Sequence, residues 1–340
     1  MTAQFGFDVR VAWRRDDPKI EADAIEMWRR NDLLPKDVDP AARAKELIAA
    51  SYKDGRLAAV ATATIAEIDF LRARFAIIRG ATDAEFRRSH AQLSLSAPSR
   101  EALWGWARAH PEEKLAGGIV FVDRSEWGDF TRLPVWPESE LELVGYDQHS
   151  RQIRVRWFDD FRYEEGAAAP PLPPLPPGPP PGIEVRRAWR LDDAGIERDA
   201  ASFWRRLGNL PADVTPEQRA KEVVLAAYSE GRMVGVVTAT VGLFAQVRAR
   251  VAMLRGSVEP EFRRSQVGAA MFLQALGMLE AWAAANPAER VAAVGGILES
   301  RELASIQRIP YWPQTRFNLA GFTADGRQIR LRWFRDFVLD

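Results

Sequence analysis

The chain contains itself twice. Residues 79–94, RGATDAEFRRSHAQLS, return at 255–270 as RGSVEPEFRRSQVGAA, and the offset of 176 positions holds without a gap from end to end. Trp13 recurs as Trp189, Trp28 as Trp204, Thr62 and Thr64 as Thr238 and Thr240, Trp136 as Trp312, and Trp157 as Trp333. Such a duplication implies two copies of one domain, each long enough to bury its own core. It also supplies an internal control. Residues that both copies keep belong to the fold, and residues that one copy alone keeps are candidates for chemistry.

The copies are joined by AAAPPLPPLPPGPPPG at 167–182. Proline at this density excludes helix and interior strand and favours polyproline II, with a reach of roughly 40–50 Å. The expected division is a domain over 1–165, a Pro-rich linker over 166–182 and a second domain over 183–340. The linker reads as a semi-rigid spacer rather than as an SH3-type docking motif.

Period and punctuation give the order of elements in the second copy. A short strand at 185–189 precedes a helix over 194–207 with Ile196, Ala200, Phe203 and Trp204 on one stripe. Thr215 and Pro216 have the form of a helix start. Strands are expected at 223–228, 233–241 and 250–258, then an apolar helix from Gly268 to about Ala285 and a strand at 291–298. A helical segment near 302–307 leads to a closing hairpin, 317–322 and 328–334, turning at Ala324-Asp325-Gly326. The fold class is α/β: in each copy, a mixed, mostly antiparallel sheet flanked by helices.

Composition limits the chemistry. Lys+Arg and Asp+Glu both number 47, so nothing electrostatic points to nucleic acid. No signal peptide and no 18-residue apolar run are evident, which leads to an expectation of a cytoplasmic protein without a membrane partner. There is no cysteine, which removes disulfides, thiolate metal sites and a cysteine acyl-enzyme. The histidines, His90, His110 and His149, all lie in the first copy, so the second has no His-based triad or metal site of its own.

A strand followed by Val258-Glu259-Pro260-Glu261-Phe262-Arg263-Arg264-Ser265-Gln266-Val267-Gly268 and an apolar helix resembles motif A of the GNAT N-acyltransferase superfamily. The family usually carries glycine where Gln266 stands. The order of elements over both copies resembles that fold too, and the tandem plan is similar to that of mycothiol synthase. The resemblance implies an acyl-CoA co-substrate, most often acetyl-CoA, and direct transfer to a primary amine on a small molecule or peptide, with no metal. Gly256, Ser257, Val258, Arg263, Arg264, Ser265, Gln266, Val267, Gly268 and Ala269 are the expected coenzyme-binding residues. The physics agrees: a strand end feeding a helix N-terminus presents free N–H groups to a pyrophosphate. Gly268 lets a phosphate approach the backbone, whereas Gln92 stands at that place in the first copy. Ser96-Ala97-Pro98 there suggests a later helix start capped by Ser96. The first copy therefore reads as a degenerate domain.

Transfer also needs a proton donor for the departing thiolate and a base for the amine. Tyr311 is the candidate donor, since the first copy has Val135 there. Glu299 is the candidate base, with Glu259 as a second carboxylate; their counterparts are Asp123 and Asp83. Two other readings stand beside this one. They are an aminoacyl or longer-chain acyl transferase of the same tandem type, and a non-catalytic coenzyme-binding regulator.

Overall fold

The computed structural model describes residues 4–124, 128–163, 172, 174–263, 265–299 and 304–340. The chain separates into two compact units, Met1–Glu165 and Gly166–Asp340. The first comprises β1 (Asp8–Val11), α1 (Pro18–Asn31), α2 (Pro40–Ala44), β2 (Leu47–Lys53), β3 (Arg56–Ile68), β4 (Ala73–Thr82), α3 (Ser96–Ala109), β5 (Leu115–Val122), β6 (Glu142–Tyr146) and β7 (Gln152–Trp157). The second repeats this plan. It comprises β8 (Ile183–Arg187), α4 (Ala194–Leu207), α5 (Pro216–Ala220), β9 (Val223–Ser229), β10 (Arg232–Phe244), β11 (Ala249–Val258), α6 (Val267–Ala285), β12 (Val291–Ile297), α7 (Ala304–Gln307), β13 (Tyr311–Trp312), β14 (Phe317–Phe322) and β15 (Gln328–Trp333).

The strand orders are β1-β2-β3-β4-β5-β7-β6 and β13-β14-β15-β12-β11-β10-β9-β8. Among the described residues, only β4 with β5 and β11 with β12 run parallel. Parallel neighbours need a crossover, and α3 and α6 supply it. In the second unit α6 covers one sheet face, where Met271, Leu276 and Leu279 pack with Val224, Val237 and Val294. The opposite face is covered by α4, whose Ile196, Ala200, Phe203 and Trp204 pack with Val223, Ala226 and Val236. Burying each such large side chain contributes about 1.5–3 kcal/mol.

Local chemistry sets the helix ends. Asp193 accepts the N–H groups of Gly195 and Ile196 to start α4, and Gly208, at φ +62, ends it. Thr215 and Gln218 close a reciprocal capping box on α5. Each unit also buries an arginine against main-chain carbonyls. Arg330 donates to Pro310 O (3.0 Å), Ile309 O (2.7 Å) and Gln328 Oε1 (2.8 Å), and its guanidinium lies 3.9 Å from the Trp312 ring centroid. Arg154 does the same with Leu133 O, Gln152 Oε1 and Trp136.

Three expectations need correction. The first strand of the second unit ends at Arg187, because Trp189 leaves the sheet for the core. Ser96 is not a cap: Leu93–Leu95 form a 3-10 turn running straight into α3, and Ser96 is the helix's first residue. The apolar stretch expected to be too short is longer on average, although Gln274 and Glu280 interrupt it. Among the described residues α6, with mean hydropathy 1.4, is long and apolar enough to cross a membrane, although its Met271, Ala275, Leu276 and Leu279 are buried in this unit's own core. Of the helical segment expected near 302–307, residues 302 and 303 lie outside the described residues.

Candidate functional site

β11 and β12 part company halfway. Their pairing ends at Leu254↔Gly296, after which β12 continues to Ile297 and β11 to Val258. On its other edge β11 stays paired with β10 up to Gly235↔Val258. Glu259 donates its N–H to Val234 O at 2.9 Å, which sets the alternation along β11. Ser257 therefore turns its polar groups to β10, while Gly256 and Val258 turn theirs toward the side where β12 has left. The splay exposes main-chain groups at Gly256 and Val258, two of the positions expected to bind the coenzyme.

Among the described residues, three glycines open the α6 side of this gap, with the Val258 side chain beside it. A Cβ built on Gly256 would meet nothing closer than Val236 O at 4.0 Å. On Gly296 the nearest atom would be Leu254 O at 3.9 Å, and on Gly268 it would be Val258 Cγ2 at 3.4 Å. The first unit has the same splay, its β4–β5 pairing ending at Ile77↔Ile119. There the counterparts are Gly80, Gln92 and Val120. The Gln92 side chain lies on the strand, so that a Cβ on Gly80 would fall 2.3 Å from Gln92 Nε2, and Thr82 Oγ1 is 3.3 Å from Gln92 Oε1. Open in one unit, the groove is filled in the other.

The loop from β11 to α6 is held by charge. Glu259 is buried and takes Arg206 on Oε1 (2.6 Å) and Arg232 on Oε2 (2.9 Å). Asp83, Arg30 and Arg56 occupy the same places in the first unit, with Arg30 ion-paired to Asp83. Glu259 is thus a buried anchor with a counterpart in both copies, not an exposed base at a strand end. Glu261 bonds to its own N–H and to Arg232, which hold its carboxyl below the usual range. Ser265 and Arg263, expected as ligand donors, are engaged within the loop: Ser265 Oγ donates to Phe262 O at 2.6 Å and Arg263 Nε to Val258 O at 3.3 Å. Arg264 lies outside the described residues.

Gln266 stands at the N-cap of α6 in the left-handed region at φ +66, and its counterpart His90 is left-handed too, at φ +64, although no α-helix starts there. Both copies keep this conformation without the glycine that favours it. The first intrahelical bond runs from Ala270 N to Gln266 O at 3.0 Å. The N–H groups of Val267, Gly268 and Ala269 thus have no acceptor within the helix, and they sit beside Gly268 at the head of the groove. The counterpart of Val267 is Ala91, yet α3 begins only at Ser96.

The proton-transfer candidates are not gathered there. Tyr311 pairs with Asn318, Asn318 with Leu331, Leu331 with Gly295 and Gly295 with Met253. Four strand spacings on a flat sheet amount to roughly 19 Å. Glu299 follows the end of β12 but leans away from β11, exposed and ion-paired with Arg327 at 3.0 Å. Gly296, in contrast, lines the gap and was missed by motif reading, although its difference from Val120 was there to find.

No family model and no curated protein matches the chain. Solved structures do resemble part of it. An acetyltransferase of the GNAT family from Streptococcus pneumoniae shares 15% identity over 45% of this chain and 99% of its own, with TM-score 0.31. A ribosomal-protein-alanine N-acetyltransferase from Escherichia coli shares 17% over 45% and 94%, also with TM-score 0.31. A phosphinothricin acetyltransferase from Sinorhizobium meliloti, in complex with AcCoA, shares 14% over 46% and 90%, with TM-score 0.32. Likeness at this level describes no chemistry, which has to come from the groove.

Proposed function

We propose that the second unit binds an acyl-CoA, with acetyl as the first acyl group to test, and passes the acyl group directly to a primary amine. One observation carries the reading: the groove lined by Gly256, Gly268 and Gly296 is open in this unit and filled in its sibling. The residues suit the group. Free amides at Val267–Ala269 match a pyrophosphate, and the glycine-opened strip beside β11 admits a narrow pantetheine arm. Gly256 and Val258, turned into the splay, are placed to donate to that arm and to an oxyanion developing on the thioester carbonyl. Direct transfer suits a chain without cysteine.

A second reading, coenzyme binding without transfer, draws on the positions of Tyr311 and Glu299. Binding and turnover are separable by experiment. Thermal shift with acetyl-CoA and with free CoA tests the groove, and saturation at about 100 times the dissociation constant stabilises a site by about 2.7 kcal/mol. The shift is expected to vanish in Gly268→Trp and to survive in Gln92→Trp. Equal effects of the two changes remove the assignment. Release of free thiol from acetyl-CoA across an amine library then decides between enzyme and regulator, and an unchanged rate in Tyr311→Phe takes the phenol out of the mechanism.

A further inference from the structure

At the other end of α6 the two units differ in charge. In the first, Arg156 is held by Glu140 at 3.0 Å and Asp159 at 3.0 Å, Arg100 adds a contact to Glu140 at 3.2 Å, and Trp104 donates to Asp160. In the second, Glu140 is replaced by Arg316, Asp159 by Arg335, Arg100 by Leu276 and Trp104 by Glu280, while Arg332 and Asp336 keep the types of Arg156 and Asp160. Two arginines among three carboxylates have become three arginines with two. Glu280 is shared, with Oε2 2.5 Å from Arg332 and Oε1 3.7 Å from Arg316.

This arrangement is costly as it stands. The Arg332 side chain is 12% exposed, and its buried Nε has no hydrogen-bond partner among the described residues. Burial, then Arg332 and Arg335, hold the Arg316 guanidinium below its ordinary value, against the opposing pull of Glu280 and Tyr311. Arg316 and Arg332 are part-buried and Arg335 is exposed. Like charges so gathered are stabilised by an anion, and the guanidinium fork fits a planar or tetrahedral oxyanion in bidentate fashion. We propose that Arg316, Arg332 and Arg335 form an oxyanion-binding site, for a ligand bearing a carboxylate or a phosphate. The site is independent of the acyl-CoA reading.

Calorimetric titration of the full chain with succinate and with inorganic phosphate, at ionic strength matched by sodium chloride, tests it. Gly268→Trp is the common background, so that the α6 N-terminus does not contribute, and the stronger of the two probes identifies the ligand's anionic group. Saturable binding is expected, weakened at least about ten-fold by R316E/R335D, which installs the sibling's carboxylates. R335A, at an exposed position, is expected to weaken it in the same direction, and R316E/R335D should melt higher than the background chain without anion. Heats no different from chloride overturn the proposal, as does undiminished binding in R316E/R335D with an unchanged circular dichroism spectrum.

Discussion

Among single residues, the glycines carry the contrast between the units. Gly268 is legible in the sequence because the gapless offset sets Gln92 against it. Gly296 is harder, since nothing in Val294-Gly295-Gly296 says which glycine faces the groove. The structure separates them: a Cβ on Gly295 would lie 2.6 Å from Met253 Sδ and 3.0 Å from Leu331 Cδ2, so Gly295 serves packing, and the open side belongs to Gly296. Gly296→Val, installing the residue of Val120, is therefore expected to leave the melting temperature unchanged or higher, valine being favoured in strands. The same change should weaken coenzyme A binding at least about ten-fold by calorimetry, a loss of about 1.4 kcal/mol. Gln266→Gly tests the opposite case. It relieves left-handed strain of about 1–2 kcal/mol and gives back part of that as chain entropy, so melting should hold or rise while coenzyme affinity persists.

At the scale of elements, periodicity and the Thr215 cap were readable, whereas the Ser96 cap and the pairing of strands were not. The α4 stripe, the Thr215 cap and the strands β9 to β11 follow from local pattern. That β15 lies between β14 and β12, which sets Tyr311 far along the sheet from β11, depends on contacts between distant residues and leaves no mark on the segment 308–313. The same limit made Glu259 look like an acid at a strand end. Its role as an anchor predicts that Glu259→Gln costs about 1–3 kcal/mol of stability, discounted for the partial exposure of Arg206 and Arg232, with denaturant midpoints as the measure. Its counterpart Asp83 gives a pH test. Burial alone would raise that carboxyl, but hydrogen bonds from Arg30, the Glu85 N–H and Asn31 outweigh it and hold Asp83 below its ordinary value. A depressed carboxyl contributes fully above its unfolded value of about 3.9 and loses that contribution as pH falls through the folded one. Hydrogen exchange of first-unit amides should thus show acid weakening below about pH 4 in the wild type. Asp83→Asn should start less stable and fall less over the same range.

For the whole molecule, duplication lets the groove differ between two units that share one fold. The first unit keeps the splayed strands, the anchored loop and the left-handed residue before the helix. What differs is the filling of the groove by Gln92 and Val120, and the onset of α3 at Ser96. These lesions are physically distinct. The side chains block entry, whereas turns and a 3-10 segment replace the regular helix start, and weaken its dipole, at the head of the groove, although Ser94 N–H still bonds His90 O as Ala270 N–H bonds Gln266 O. Clearing the groove alone therefore should not restore binding. In a chain whose second site is closed by Gly268→Trp, the pair Gln92→Gly and Val120→Gly is expected to bind no coenzyme A by calorimetry, although the first unit remains folded by circular dichroism. Binding in that chain would mean that the side-chain plug was the whole defect and that the helix terminus contributes little. Its absence would locate the larger share of affinity in the regular helix start at Val267, Gly268 and Ala269, where the sibling has turns and a 3-10 segment as far as Ser96.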